Sequence, residues 1–358
     1  MRTGILTLPL HCNYGGILQA YALQEFLRKE GHEVTVLERQ RNRTDENLGS
    51  RLYQCLCKQV MHRNMQRYIH NHLHCTPPLR SEKELIQTAS SLETVIVGSD
   101  QVWRPDMIKG VETNYFLDFT PPACRKIAYA ASFGVETWKG SLTLTSRIRE
   151  LLSQFQSISV REQEGVCLCK EIFGQEAIQV SDPTLLFDRS FYEQLLPATQ
   201  SSPDDTLFYY LLGNKKAHQT LVRSLSEKLG KRAYTVNAER EIHLGKFTFA
   251  RFPTPDKWLE GFSRAGFVVT DSFHGIIFSL LFNKPFVALK NLSGGLSRIT
   301  SLLERYGLRS RLMEREELLS ASPDALLSLP YDMVNLCIAE DRKFSSEFLR
   351  HALSTPLL

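Results

Sequence analysis

Residues 4–37 read GILTLPLHCNYGGILQAYALQEFLRKEGHEVTVL, and the way this stretch divides decides the fold. Residues 4–8 form a short apolar run that reads as a strand. Over residues 16–29 the apolar positions Ile17, Ala20, Tyr21, Leu23 and Leu27 recur at helical spacing and mark an inward face. Residues 33–37 read as the next strand. Strand, helix and strand in that order make a β-α-β unit, and its two strands run parallel.

The alternation continues along the chain. Strands are predicted at 94–97, 126–130, 157–160 and 177–180, and helices at 142–152 and 162–172. The polar run 197–205 (PATQSSPDD) breaks the pattern and reads as a linker. Beyond it the alternation restarts, with strands at 207–212, 233–236, 267–270 and 285–289 and helices at 217–229, 256–264 and 276–282. The fold class is therefore α/β: two Rossmann-like, doubly wound domains facing a cleft. The expected division is 1–196 for the N-terminal domain, 206–340 for the C-terminal domain, and 341–358 for a final helix packing back on the first domain.

Composition excludes several classes. A length of 358 residues fits two domains at about 150 residues each. The balance of 43 Lys+Arg against 39 Asp+Glu leaves +4, too even for a dedicated nucleic-acid binder. Hydrophobic content of 42% and charged content of 23% exclude wholesale disorder. No apolar run reaches the roughly 18 residues of a membrane span. The opening MRTGILTLP reads as a strand rather than a signal peptide, so a soluble cytoplasmic protein is expected. Of the 8 cysteines, Cys55/Cys57 and Cys167/Cys169 are C-x-C pairs that lack the C-x-x-C spacing of a zinc site. Reduced, mostly buried thiols and no metal are expected.

One segment departs from the average. No acid occurs between Asn47 and Ser81, while Arg51, Lys58, Arg63, Arg67 and Arg80 fall there together with His62, His70, His72 and His74. A basic helical insertion at about 45–80 is expected. It is either a solvated face or a surface for an anionic head group or bilayer.

In open parallel sheets ligands bind beyond the carboxyl ends of the strands. Six polar or Gly-rich segments follow predicted strands: 11–16 (HCNYGG), 98–104 (GSDQVWR), 161–162 (RE), 181–184 (SDPT), 271–275 (DSFHG) and 290–298 (KNLSGGLSR). Free N–H groups at the helix starts favour an anion, and Gly15/Gly16 and Gly294/Gly295 let backbone approach a ligand or simply make tight turns. None of these segments is a G-x-G-x-x-G or a P-loop, which weighs against nicotinamide and nucleotide-hydrolase chemistry. His274 is the sharpest candidate, an imidazole able to shuttle protons with Asp271 setting its tautomer; the plainer reading is a turn capped by Asp271. Arg161 matches a carboxylate or phosphate, or pairs with Glu162 or Glu164. Asp100 caps a helix, orients Arg161 or takes a sugar hydroxyl, and Trp103 and Tyr14 either stack on a sugar or pack.

Taken together these motifs resemble the polysaccharide pyruvyltransferase family. The resemblance rests on Asn13-Tyr14-Gly15-Gly16 with 18–24 (LQAYALQ), on 97–103 (VGSDQVW), on 126–134 (KIAYAASFG), on Ser159-Val160-Arg161-Glu162, on Asp182-Pro183-Thr184 and on Thr270-Asp271-Ser272-Phe273-His274-Gly275. It spans about residues 3–311. The resemblance implies a GT-B-like fold and transfer of the pyruvyl group of phosphoenolpyruvate onto two hydroxyls of a sugar, leaving a cyclic ketal and releasing phosphate. It further implies His274, Arg161 and Asp271 as catalytic groups, and Arg161, Ser272, His274, Lys290, Gly294, Gly295 and Arg298 around the donor. Asn13, Tyr14, Gly15, Gly16, Asp100, Gln101 and Trp103 would meet the acceptor. Many members carry Arg where this chain has Ser272, so Arg298 or Lys290 is expected to supply the missing charge.

No cofactor is implied beyond phosphoenolpyruvate as donor substrate. The implied acceptor is a galactose-type sugar, polyprenyl-diphosphate-linked, in a capsule or exopolysaccharide precursor, with peripheral contact at the inner membrane face open to the protein. The alternatives are a GT-B glycosyltransferase using a nucleotide-sugar and a non-catalytic glycan-binding relative.

Overall fold

A computed structural model describes residues 1–11, 13–40, 62–196, 205–212, 215–236, 241–244, 247–250, 252–290 and 295–355. Two compact units emerge from it. The first comprises Met1–Leu186, Arg240–Phe252 and Asp341–Leu358, and the second Phe187–Glu239 and Pro253–Glu340.

The first unit is built on a six-stranded parallel sheet. Its strands are β1 (Arg2–Leu6), β2 (Glu33–Leu37), β3 (Thr94–Val97), β4 (Arg125–Ala131), β5 (Ser157–Val160) and β6 (Ile178–Gln179), in the order β2-β1-β3-β4-β5-β6. β3 and β4 are buried along their whole length, as strands covered by helices on both faces must be. The Tyr14–Lys29 helix returns the chain from β1 to β2 and buries Ile17, Ala20, Leu23 and Leu27 completely. Tyr21, expected on that inward face, is only half-buried, with its ring edge-on to His72. Because β2 lies to one side of β1 and β3 to the other, the direction of winding reverses between β1 and β3. That reversal opens a crevice at their carboxyl ends.

The second unit repeats this logic on five parallel strands. They are β7 (Thr206–Tyr210), β8 (Arg232–Tyr234), β11 (Phe267–Thr270), β12 (Phe286–Leu289) and β13 (Leu312–Met313), in the order β13-β12-β11-β7-β8. Its winding reverses between β7 and β11. One cluster gathers the sheet residues Leu207, Val269 and Val287, while Phe208 meets a separate aromatic set in which Trp258 packs edge-on against Phe262 and Phe278. Both sheets are therefore doubly wound, as the alternation of apolar strands and helices predicts.

The units depart from the expected domain limits at two places. The first boundary lies at Leu186/Phe187, before the polar linker, because Phe187 and Phe191 stack together and Tyr192 packs on Phe278 in the second unit. Residues 240–252 belong with the first unit, not with 206–340. They contain an antiparallel hairpin, β9 (Glu241–Leu244) and β10 (Phe247–Ala250), which the sequence pattern does not predict. Just beyond it the Phe252 carbonyl accepts from Asn64 Nδ2 at 2.9 Å and the Phe252 ring stacks on His62, which ties the excursion to the first unit.

The last helix runs from Tyr331 to Ser354, starting earlier than residue 341. From Asp341 onward it belongs to the first unit, where the Ser345 hydroxyl accepts from the Ser181 N–H, Arg342 Nε donates to the Leu185 carbonyl and Arg350 pairs with Glu30. Arg125 holds its far end by donating to the carbonyls of Leu353 and Thr355.

Of the basic insertion, Arg51 and Lys58 lie outside the described residues, as do Cys12, Cys55 and Cys57. Arg63–His72 is helical, burying Met65 and Tyr68 and exposing Arg63 and Arg67. Cys75, Cys124, Cys167, Cys169 and Cys337 are free thiols, and burial pushes the Cys169 thiol up to about 12. Among the described residues no helix is long and apolar enough to cross a membrane.

Candidate active site

At the carboxyl end of β11 the chain makes a turn fixed by its own polar groups. Thr270 Oγ1 donates to the Tyr210 carbonyl of β7 at 2.8 Å and accepts from the Ser272 N–H at 3.1 Å. Ser272 is the N-cap of the Phe273–Leu281 helix, its Oγ accepting from the Gly275 N–H at 3.3 Å. Gly275 permits the helix to sit this close, since a Cβ there would collide with Thr270 Oγ1. These contacts carry His274 into the first turn of the helix, 6% exposed and edge-on to Phe273 with ring centroids 5.3 Å apart.

Asp271 does not simply cap this turn. Its Oδ1 accepts from the Leu212 N–H at 2.7 Å, which binds the loop after β7 to the loop after β11. This carboxylate thus spans the winding reversal of the second sheet, where ligands of such sheets bind.

The two candidate replacements for the arginine absent at Ser272 separate clearly. Lys290 Nζ pairs with Glu314 at 3.0 Å and reaches Glu317 at 4.0 Å, so its charge is directed to the far side of β12. The Arg298 guanidinium instead stands 5.9 Å over the Phe273 ring, beside the helix turn that bears His274. Arg298 reaches that position by folding back over Gly295, which caps the Leu296–Arg305 helix in the left-handed region (φ 85°) and whose missing side chain leaves the guanidinium room. Gly294 lies outside the described residues.

The first unit presents its own polar cluster at the carboxyl ends of β1, β3, β4 and β5. Arg161 follows β5, and its side chain is 1% exposed. Its guanidinium lies 3.0 Å from Asp182, 3.4 Å from Asp100 and 3.8 Å from Glu162. Glu162, one of the two ion-pair partners expected from its place beside Arg161, is thus present, and Asp182 and Asp100 lie nearer still.

Glu162 is itself committed, its Oε1 accepting from the Ser132 hydroxyl and from the Phe133 and Gly134 N–H groups. Asp182 accepts from Thr184 and from the Ser99 hydroxyl. Asp100 adopts φ 72°, a conformation that costs a non-glycine residue about 1–3 kcal/mol and clusters at functional sites. Its Oδ1 accepts from the Gln101 N–H, and its Oδ2 from Nδ2 of the exposed Asn13 at 3.2 Å.

The remaining residues expected at the acceptor are mostly interior. Trp103 is 0% exposed and Tyr14 3%. Trp103 stacks on Phe116 and donates its indole N–H to the Tyr115 carbonyl at 2.9 Å, so it packs and presents no face to a sugar. Gly15 and Gly16 are buried, and Gly16 leaves space for the Asn13 side chain. Gln101 is half-buried and accepts from Arg104 at 2.9 Å. Asn13 and Asp100 alone of that group meet at the crevice between β1 and β3.

No role for Ser99, Gln19 or Asp182 is assigned by sequence alone. Gln19 Oε1 accepts from the Ser99 N–H at 3.0 Å while its Nε2 donates to Thr7, tying the β1 and β3 loops together. The signal that could have found it is a glutamine set on an otherwise apolar helix face, which must be hydrogen-bonded once buried. Among the described residues no group of metal-ligating side chains comes together.

Comparison with known proteins agrees with this architecture. The chain is similar to Arabidopsis thaliana UGT89C1, solved with UDP-L-rhamnose, at 10% identity over 97% of this chain and 98% of that one, with a TM-score of 0.53. The match to Acinetobacter baumannii MurG covers 97% of each chain at 10% identity with a TM-score of 0.46. The first likeness establishes the fold alone, that of the GT-B glycosyltransferases with their two Rossmann-like units. No curated protein matches the chain by sequence. A family model for polysaccharide pyruvyl transferase matches residues 13–293, from the Asn13 turn to beyond β12. That span takes in the polar cluster of the first unit and the His274 turn of the second, and the chain belongs to the polysaccharide pyruvyl transferase family.

Proposed function

We propose that the protein transfers the pyruvyl group of phosphoenolpyruvate onto two hydroxyls of one sugar, forming a cyclic ketal and releasing inorganic phosphate. The observation that carries this reading is the seating of Arg298 beside the turn that bears His274, at the winding reversal of the second sheet. A helix N-terminus and an imidazole in one turn, with a guanidinium from the next helix beside it, suit a small donor with a carboxylate at one end and a phosphate at the other.

One acceptor hydroxyl oxygen bonds to C2 of phosphoenolpyruvate while the methylene carbon gains a proton and becomes methyl. The second hydroxyl oxygen then bonds to the same carbon as the C–O bond to phosphate breaks, and phosphate departs with that bond's electron pair. Of the two hydroxyl protons, one balances the proton gained by carbon and the other leaves with phosphate. His274 delivers the proton to carbon, and Arg298 with the helix N–H groups stabilises the departing phosphate. For the acceptor, Asp100 and Asn13 hold a sugar hydroxyl.

The reading is tested by incubating the protein with phosphoenolpyruvate and a panel of galactose-containing acceptors. The expected product has gained the mass of one pyruvyl ketal, with one phosphate released per ketal. Turnover of nucleotide-sugars with no ketal would overturn it. Arg298→Ala is expected to weaken the apparent affinity for phosphoenolpyruvate by about 10–100-fold, the worth of a charge-assisted hydrogen bond pair. Unchanged affinity in that variant would transfer the donor's charge compensation elsewhere.

The acceptor proposed is a polyprenyl-diphosphate-linked sugar met at the inner membrane face. The described part of the basic insertion supports this, since Arg63, Arg67 and Arg80 are exposed and no acid falls between residues 62 and 81. Each such charge near an anionic surface contributes about 1 kcal/mol. Arg63→Glu with Arg67→Glu should therefore cut activity on a lipid-linked acceptor by about tenfold or more and leave a short soluble acceptor within about twofold. Equal losses on the two acceptors would remove the membrane role.

A further inference from the structure

We infer that Asp271 is a positioning residue for the donor, latching the loop after β7 to the His274 turn through the Leu212 N–H. Its part is that of a hydrogen-bond acceptor, not of a charged partner to the imidazole. The inference rests on the donor site proposed at that turn.

The backbone ladder between β7 and β11 ends at the pair Tyr210 and Thr270. Beyond it, two side chains from the β11 end take over. Thr270 Oγ1 donates to the Tyr210 carbonyl at 2.8 Å, and Asp271 Oδ1 accepts from the Leu212 N–H at 2.7 Å. Both residues are buried, at the place where the winding of this sheet reverses. A ligand of such a sheet sits at that reversal, so the first residues past β7 border it. Leu212, half-exposed, stands at this edge, and Asp271 fixes where it stands.

Tyr210 is anchored independently, its ring edge-on to Trp258 with centroids 5.2 Å apart. Loss of the latch frees the loop and leaves the strand seated.

Charge does not explain the position. A carboxylate at this edge repels a donor that carries both carboxylate and phosphate, and burial strengthens the repulsion. What Asp271 supplies is an oxygen placed 2.7 Å from a backbone donor. An amide oxygen of the same reach makes the same contact. Asparagine keeps the latch and drops the charge, whereas glutamate keeps the charge and displaces the oxygen by one methylene. The two substitutions separate the roles.

The test compares wild type, Asp271→Asn, Asp271→Glu and Asp271→Ala, each first confirmed as folded by circular dichroism and thermal melting. Hydrogen exchange reads the protection of the Leu212 amide, calorimetry the phosphoenolpyruvate Kd, and steady-state rates across pH the kcat and donor KM. Asp271→Asn should keep the amide protected, leave the pH dependence of kcat in place, and bind phosphoenolpyruvate as tightly as wild type or more tightly. Asp271→Ala and Asp271→Glu should lose the protection and weaken phosphoenolpyruvate by about tenfold or more, the worth of a hydrogen bond to a charged group. Their kcat at saturating donor should fall far less than their affinity.

A tenfold drop in kcat or a displaced pH profile in Asp271→Asn, with the Leu212 amide still protected, would overturn the inference, because the charge would then be what acts. Wild-type phosphoenolpyruvate affinity in Asp271→Ala and Asp271→Glu would refute it as well, since the latch would not serve the donor. A wild type that binds no phosphoenolpyruvate defeats the donor reading and takes the inference with it, an outcome told apart from the other two because no variant is needed to see it. Should Asp271→Ala fail to fold, the contrast of Asp271→Glu with Asp271→Asn carries the same decision.

Discussion

His274→Ala lowers pyruvyl transfer by about 10²–10⁴-fold while the protein keeps its fold and its phosphoenolpyruvate affinity within about an order of magnitude. The size of the loss reflects where the imidazole acts, since a positioned acid that delivers a proton to carbon contributes to the transition state far more than to the bound donor. The turn around His274 is held by Thr270, Ser272 and Asp271 through hydrogen bonds that do not involve the imidazole, so removing the ring leaves the turn's framework in place. Steady-state rates on the acceptor identified by the panel, with circular dichroism on the same samples, check the result. His274→Gln, which keeps a polar side chain of similar reach without a titratable group, should be as inactive as the alanine variant. Wild-type turnover in either would dismiss the proposed proton transfer.

Trp103→Ala is the counterpart on the side of stability, with an expected loss of about 3–5 kcal/mol for truncating a large buried aromatic. The indole touches Phe116 and Phe133, each with ring centroids 5.2 Å away, and holds the Tyr115 carbonyl through its N–H. Urea titration followed by circular dichroism reads this as a lowered midpoint. Trp103→Phe separates packing from recognition: it fills most of the space, forfeits one hydrogen bond worth about 1 kcal/mol, and should leave the acceptor KM within twofold. A tenfold rise in acceptor KM for the Phe variant, with stability near wild type, would restore the indole to the sugar site. Asp100 lies three positions earlier and carries the opposite expectation, a small change in stability with a large change in acceptor use.

Much of the scaffold is readable from residue order. The strands Glu33–Leu37, Thr94–Val97, Ser157–Val160 and Phe267–Thr270 and the helix Leu142–Leu152 coincide with the pattern of apolar period and turn residues. The Leu296–Arg305 helix is not among the helices predicted from the sequence pattern, although Ile299, Leu302 and Leu303 recur at helical spacing after the Gly294-Gly295 turn. The final helix begins directly after Pro330, a residue that favours a helix start, ten positions before the expected 341. The Glu241–Ala250 hairpin is illegible in sequence because its membership in the first unit depends on partners distant in the chain.

The site divides in the same manner. That His274, Arg161, Asp100 and Asn13 follow strands, and so belong at the binding edge of a parallel sheet, is a local property of the chain. So is membership in the family, because ordered short motifs survive as strings of residues. Which of these groups can direct its charge at a ligand is not local. Arg161 reads in sequence as a partner of an anion or of Glu162 or Glu164, and the fold adds Asp100 and Asp182 from two other loops. Trp103 reads in sequence as either stacking on a sugar or packing, and the fold places it in the core. Lys290 and Arg298 are equivalent as candidates until Glu314 claims one and the Phe273 turn receives the other. Backbone periodicity is set by neighbours along the chain, whereas burial and charge compensation are set by neighbours across it, and only the folded chain supplies those.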